Sequence, residues 1–134
     1  MACLPDTNVC VTFLRHPDSP VAARLIETKP EEIFLCYIVL AELFYGAYRS
    51  RRVAQNLEQV RQFGALFEVL SFETRAAEHY GKIRRELEQA GTIIGSNDLL
   101  IASIALAHDL TLVTHNVREF RRVTGLRVED WETK

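Results

Sequence analysis

The sequence predicts an α/β fold in which a mostly parallel sheet is flanked by helices. Three observations predict it. Short apolar runs of strand length recur along the chain: "ACLP", "EIFLCY", "EVLSF" and "LTLVT". Segments with helical spacing stand between them, and strands alternating with helices argue for a layered fold built on a parallel sheet. One helical segment, "SNDLLIASIALAHD", is apolar nearly all round and reads as a buried helix.

Taken in order, "ACLP" is the first strand and ends at Asp6. A helix through "VCVTFLRH" follows, with Thr7 or Asn8 able to cap it. In "DSPVAARLIETK", Ser19 suits the cap of a second helix and Pro20 its first position. "EIFLCY" is a strand. "IVLAELFYGAYRS" is a helix that continues after a break into "RVAQNLEQVRQFGALF", and "EVLSF" is the next strand. "ETRAAEHYGKIRRELEQAG" is the clearest helix: Ala76, Tyr80, Ile83 and Leu87 recur at helical spacing, and Gly91 sits where a C-terminal cap belongs. The buried helix and "LTLVT" come next, and "GLRVEDW" reads as a last edge strand. Pro5 has no N–H to give to a ladder, so pairing is expected to end there or to sit at an irregularity.

The 134 residues suit one domain with a proper core. The formal net charge of −2 excludes a basic protein with an overall electrostatic grip on nucleic acid, so any polyanion contact must come from local clusters. The arginines fall into three such groups: Arg49, Arg51 and Arg52; Arg84 and Arg85; Arg118, Arg121 and Arg122. Cys3, Cys10 and Cys36 are odd in number, lie in apolar runs and lack ligand spacing. They read as reduced core residues of a cytoplasmic protein. The opening "MACLPDTNVCVTFL" lacks the basic start of a signal peptide, and no run approaches membrane-spanning length.

Three acids stand out. Glu42 interrupts "IVLAELFYGAY", whose other positions are apolar or glycine, and a charged carboxylate there needs a partner, a metal or a route to water. Asp6 directly follows the first strand. Asp98 lies in the first turn of the buried helix. That helix spans ~16–18 Å, and "LTLVT" returns beside it over ~16 Å. The helix start therefore lies at the strand end, where His115, Asn116 and Glu119 follow. Sites in open α/β sheets form at the carboxyl ends of the strands, so the three acids map to one edge. Each has a plainer role open to it: Asp6 as a turn or cap residue, Asp98 as a partner of the helix dipole, Glu42 reaching to solvent. Together they repel one another and call for a cation, and an all-oxygen set favours Mg2+ or Mn2+ over zinc.

Four blocks, "DTNVC", "AELFYGA", "GSNDLLIASIA" and "TLVTHNVREFRRVTGLRVEDW", resemble those of the PIN-domain ribonucleases, and within them the VapC toxins of bacterial type II toxin–antitoxin pairs. They run in order over essentially the whole chain. The resemblance implies a PIN-like three-layer fold in a single domain over residues 1–134. It implies a cytoplasmic Mg2+-dependent endoribonuclease, Mn2+ substituting, that cuts structured RNA such as tRNA or ribosomal RNA. Asp6, Glu42 and Asp98 match the catalytic metal-site acids of the family. The family often carries a further acid after the last core strand. Asn116 stands there in this chain and Glu119 is the next acid, so both are further candidate ligands, for one ion or two. Thr7, Asn8 and Thr114 are candidates to orient the acids, Thr7 and Asn8 acting on Asp6. Arg118 is the candidate contact to RNA phosphate, or to a VapB-type antitoxin laid over a groove that the "LFYGAY" helix could supply. A homodimer and a toxin–antitoxin hetero-oligomer are expected with it.

Two rivals remain open. A phosphohydrolase using Asp6 as an aspartyl-phosphate nucleophile would resemble phosphatases that place a second Asp two residues on, where this chain has Asn8. A PIN-like module that binds RNA or a partner without catalysis is the other.

Overall fold

The computed structural model describes residues 1–132; the last two residues of the predicted domain span lie outside them. The strands are short: β1 (Cys3–Pro5), β2 (Phe34–Cys36), β3 (Glu68–Leu70), β4 (Thr111–Val113) and β5 (Val128–Glu129). The helices are α1 (Thr7–Arg15), α2 (Pro20–Glu27), α3 (Tyr37–Tyr48), α4 (Val53–Gly64), α5 (Thr74–Ala90), α6 (Ser96–Ala107) and α7 (Val117–Phe120), with a 3-10 turn at Pro30–Glu32. All three strand pairs, β1–β4, β4–β5 and β2–β3, are parallel, in line with the predicted class. An isolated parallel bridge between Cys3 and Ile33 joins the two ladders, giving the spatial order β3-β2-β1-β4-β5. The expected last edge strand is β5.

The ladder of β1 ends at Pro5, as expected. Pro5 is in register with Val113, and the Asp6 N–H reaches the Val113 carbonyl at 2.9 Å. Asp6 and Ala2 bond β4, so alternation turns the nitrogen of Pro5 to the opposite side, towards β2. There the pairing is only the Cys3–Ile33 bridge, so the missing N–H costs no bond on the β4 side.

The cap of α1 is Asp6 rather than Thr7 or Asn8. Ser19 and Pro20 start α2 as expected, and Gly91 ends α5 at φ 70°. The break between α3 and α4 covers residues 49–52, where Ser50 donates to the Ala47 carbonyl and accepts from the Asn56 amide. The short helix α7 was not foreseen: a four-residue turn carries no period to read, and it is fixed by burial of Phe120.

Leu4, Leu35 and Leu112 from three adjacent strands are fully buried, as are Ile101 and Ile104 of α6. Each such side chain contributes about 1.5–3 kcal/mol by leaving water. The buried helix of the sequence is therefore α6, and its start is held at the edge where β1 and β4 end. A smaller cluster gathers Val9, Val21, Ile33, Val113 and Trp131. The three cysteines are free and buried. Among the described residues, no helix is long and apolar enough to cross a membrane.

Candidate active site

Asp6 leaves the sheet where β1 ends. Its Oδ1 accepts from the Val9 N–H at 2.9 Å, so the cap of α1 and the candidate site share one carboxylate. The side chain is only 4% exposed. Burial raises its pKa, and Glu42 and Glu132 add to the rise; hydrogen bonds from Thr114 and Val9 oppose it. Thr114 is itself buried and accepts from the Asn116 N–H at 2.9 Å, which ties the turn after β4 to the end of β1.

Glu42 lies in the second turn of α3 and is half-buried. It has two donors. The Thr7 hydroxyl gives a short hydrogen bond to Oε1, and the Asn97 amide donates to Oε2 at 3.0 Å. The apolar helix thus carries its carboxylate by facing it to α1 and α6, both of which supply hydrogen bonds. Thr7 orients Glu42, not Asp6 as expected. Its backbone follows Asp6 directly, but its hydroxyl stands on the α3 side.

Asp98 and Glu119 meet. The Asp98 carboxyl is pushed up to about 7, first by burial, then by Glu119 in hydrogen-bond contact, then by the charges of Asp6 and Glu42. Glu119 is held low instead, by the hydrogen bond from Asp98, the Asn116 amide, the Gly95 N–H and Arg122. The two carboxyls titrate as a pair, with Asp98 the one that keeps its proton to higher pH. Glu119 Oε1 is buried and has no hydrogen-bond donor among the described N–H and O–H groups. What satisfies it is a proton on Asp98 or a cation in its place. Glu119 Oε2 accepts from the Asn116 amide at 3.1 Å, so Asn116 steers Glu119.

Asp6 and Glu42 both act on Asp98 at one sheet edge, where the sequence put the three acids, and Glu119 joins them there. An oxygen-only set with surplus negative charge and an orphaned buried oxygen fits a hard divalent ion. As the side chains stand, no three Asp, Glu, His or Cys groups among the described residues are arranged to hold one. Asp6 is engaged by the cap of α1, and Glu42 by Thr7 and Asn97.

The other candidates separate. Asn8 is exposed and contributes only its backbone carbonyl, to the Thr12 hydroxyl. Arg118 is exposed, and its side chain makes no ion pair among the described residues; Arg122 is the arginine that acts on Glu119 and bonds the Ile93 carbonyl at 3.1 Å. His115 pairs with Asp130 at 3.1 Å and with Glu132 at 3.9 Å. Asn97 was missed in the sequence. The signal was an amide beside Asp98, one place along the same helix start. A groove of about 150 Å3 opens beside Glu42, lined by Val11, Leu14, Leu43, Ala47 and Val60, with Arg15 at its rim. The inward face of α3 lines it; Phe44, Tyr45 and Tyr48 do not.

Residues 3–126 match the family model of the PIN domain. The chain belongs to the PIN-domain family. This PIN domain is 44% identical to "Ribonuclease VapC2" of Rickettsia felis, over 95% of the chain and 96% of that protein. It is 39% identical to "tRNA(fMet)-specific endonuclease VapC" of Salmonella typhimurium, over 94% of the chain and 95% of that protein. Among solved structures it superposes on a chain of the VapBC2 complex of Rickettsia felis bound to a DNA fragment from their promoter. The TM-score is 0.90 and the identity 40%, covering 98% of this chain and 99% of that one. Likeness at this level over nearly the whole length places the PIN domain among the VapC ribonucleases.

Proposed function

We propose that this PIN domain is the toxin of a VapBC-type pair and a Mg2+-dependent endoribonuclease that hydrolyses RNA phosphodiester bonds, with Mn2+ able to substitute. The observation that carries the chemistry is the Asp98–Glu119 carboxyl pair, with its orphaned oxygen, standing within the fields of Asp6 and Glu42. Asp6, Glu42, Asp98 and Glu119 would hold the ion, and when bound it supplies a Lewis acid that makes water a nucleophile at neutral pH and offsets charge on the phosphate.

The chain's own residues do the rest. Thr114 holds Asp6, Thr7 and Asn97 hold Glu42, and Asn116 holds Glu119. Exposed Arg118 lies one residue before Glu119 and would meet a phosphate of the RNA or an acidic group of the antitoxin. Relatives named for tRNA(fMet) cleavage favour tRNA as the substrate class. Relatives solved as VapBC complexes favour a VapB-type antitoxin, and the groove beside Glu42 would take an apolar segment of it. Three buried free thiols suit the reducing cytoplasm.

The test is cleavage of total RNA by the purified chain with Mg2+ and with EDTA. Asp6→Asn, Glu42→Gln and Asp98→Asn should each lower the Mg2+-dependent rate by orders of magnitude. Full cleavage by all three variants would rule the reading out. A folded wild type that binds RNA but never cuts it would favour the non-catalytic module.

A further inference from the structure

We propose that Asn97 is a positioning residue: its side-chain amide, reaching from α6 to α3, sets the orientation of the Glu42 carboxylate for a divalent cation. This rests on the metal-dependent reading above. Both oxygens of Glu42 are engaged, Oε1 by Thr7 at the start of α1 and Oε2 by Asn97 at the start of α6. The carboxylate is thereby fixed against rotation about its last bond by donors from two other helices.

The chemistry of the donor matters. A lysine or arginine at this place would neutralise Glu42 and compete with a cation for it. An amide holds the carboxylate and leaves its charge intact. The reverse amide orientation would set Oδ1 against Glu42 Oε2, two acceptors face to face, so the network fixes the donor side. Asn97 is the second residue of α6, and Asp98, an acid of the same site, is the third. One helix start thus presents one carboxylate and steers another from a different helix. Asn97 is exposed, so it adds little to the core, and its contact with Glu42 is its one side-chain hydrogen bond among the described residues.

Groups that orient metal ligands typically change affinity by about 10–100-fold when removed. Calorimetric Mn2+ titration of the full chain should show Asn97→Ala binding about tenfold more weakly than wild type. In a Glu42→Gln background the same change should add no further loss, because its effect passes through Glu42. In the metal-free protein, the Asn97 side-chain amide signals in a nitrogen–proton NMR spectrum should move on Glu42→Gln. A purely structural Asn97 would lower Mn2+ affinity equally in both backgrounds, and that result overturns the proposal. So does an affinity that falls in Glu42→Gln but not in Asn97→Ala. Affinity unmoved by Glu42→Gln would overturn the metal reading itself, and this proposal with it.

Discussion

At the scale of the residue, the controlling feature is a carboxyl pair that cannot bear two charges at close range. Asp98, raised to about 7, keeps a proton in the folded, ion-free protein that the unfolded chain gives up near 4. The folded state binds the extra proton between those values, so stability falls as pH rises through that window. Glu119 is shifted the other way, and its contribution is lost only as pH falls below its ordinary range. Urea unfolding in EDTA should show wild type weakening from pH 5 to pH 8, and Asp98→Asn holding a flatter profile. Equal slopes would mean that Asp98 is not the strained acid. Asn116→Asp provides a second check. It removes the amide donor to Glu119 and adds a carboxylate, so the metal-free protein should melt lower than wild type while Mn2+ binds more tightly. Unchanged Mn2+ affinity would place position 116 outside the ion's reach. Asp6, Glu42 and Asp98 were legible because Asp6 directly follows a strand, Glu42 interrupts an apolar helix and Asp98 lies in the first turn of a buried one. Asn97 and the contact of Glu119 with Asp98 were not, because both exist only across elements that sequence spacing leaves unjoined.

At the scale of the element, long periodic segments were legible and short ones were not. α5 ends at Gly91 in the left-handed conformation that its position foretold, and α6 is buried as its apolar composition requires. The one-turn helix α7 holds Glu119, and its four residues are too few to show a repeat. The α1 cap is Asp6, the plainer role open to that acid, in place of Thr7 or Asn8. It does both jobs, and the two can be separated. Asp6→Asn keeps an acceptor for the Val9 N–H, whereas Asp6→Ala loses it, which typically costs ~1 kcal/mol. Thermal unfolding in EDTA should find the alanine variant less stable than the asparagine variant by about that amount, with RNA cleavage lost in both. Equal stability would show that the cap adds nothing to α1.

At the scale of the molecule, the parallel sheet gathers the acids. β1 and β4 run the same way, so their carboxyl ends, the turn after Val113 and the start of α6 meet on one edge. The fold therefore concentrates negative charge where, among the described residues, no basic side chain pairs with it directly, apart from the field of Arg122 on Glu119. This concentration opposes folding, and an ion that binds only the folded state offsets it by mass action. At a hundredfold excess over Kd the gain is ~2.7 kcal/mol. For a chain of this size, with roughly 3–5 °C per kcal/mol, that is a rise in Tm of about 10 °C. Mg2+ and Mn2+ should both produce it. Asp98→Asn removes one ligand and much of the repulsion together, so its metal-free Tm should match or exceed wild type while its response to either ion largely disappears. A general salt effect would raise both proteins alike, and NaCl at matched ionic strength reveals that contribution. The same Mg2+-induced rise in wild type and Asp98→Asn would show that the ion binds elsewhere, and the clustered acids would then need another account.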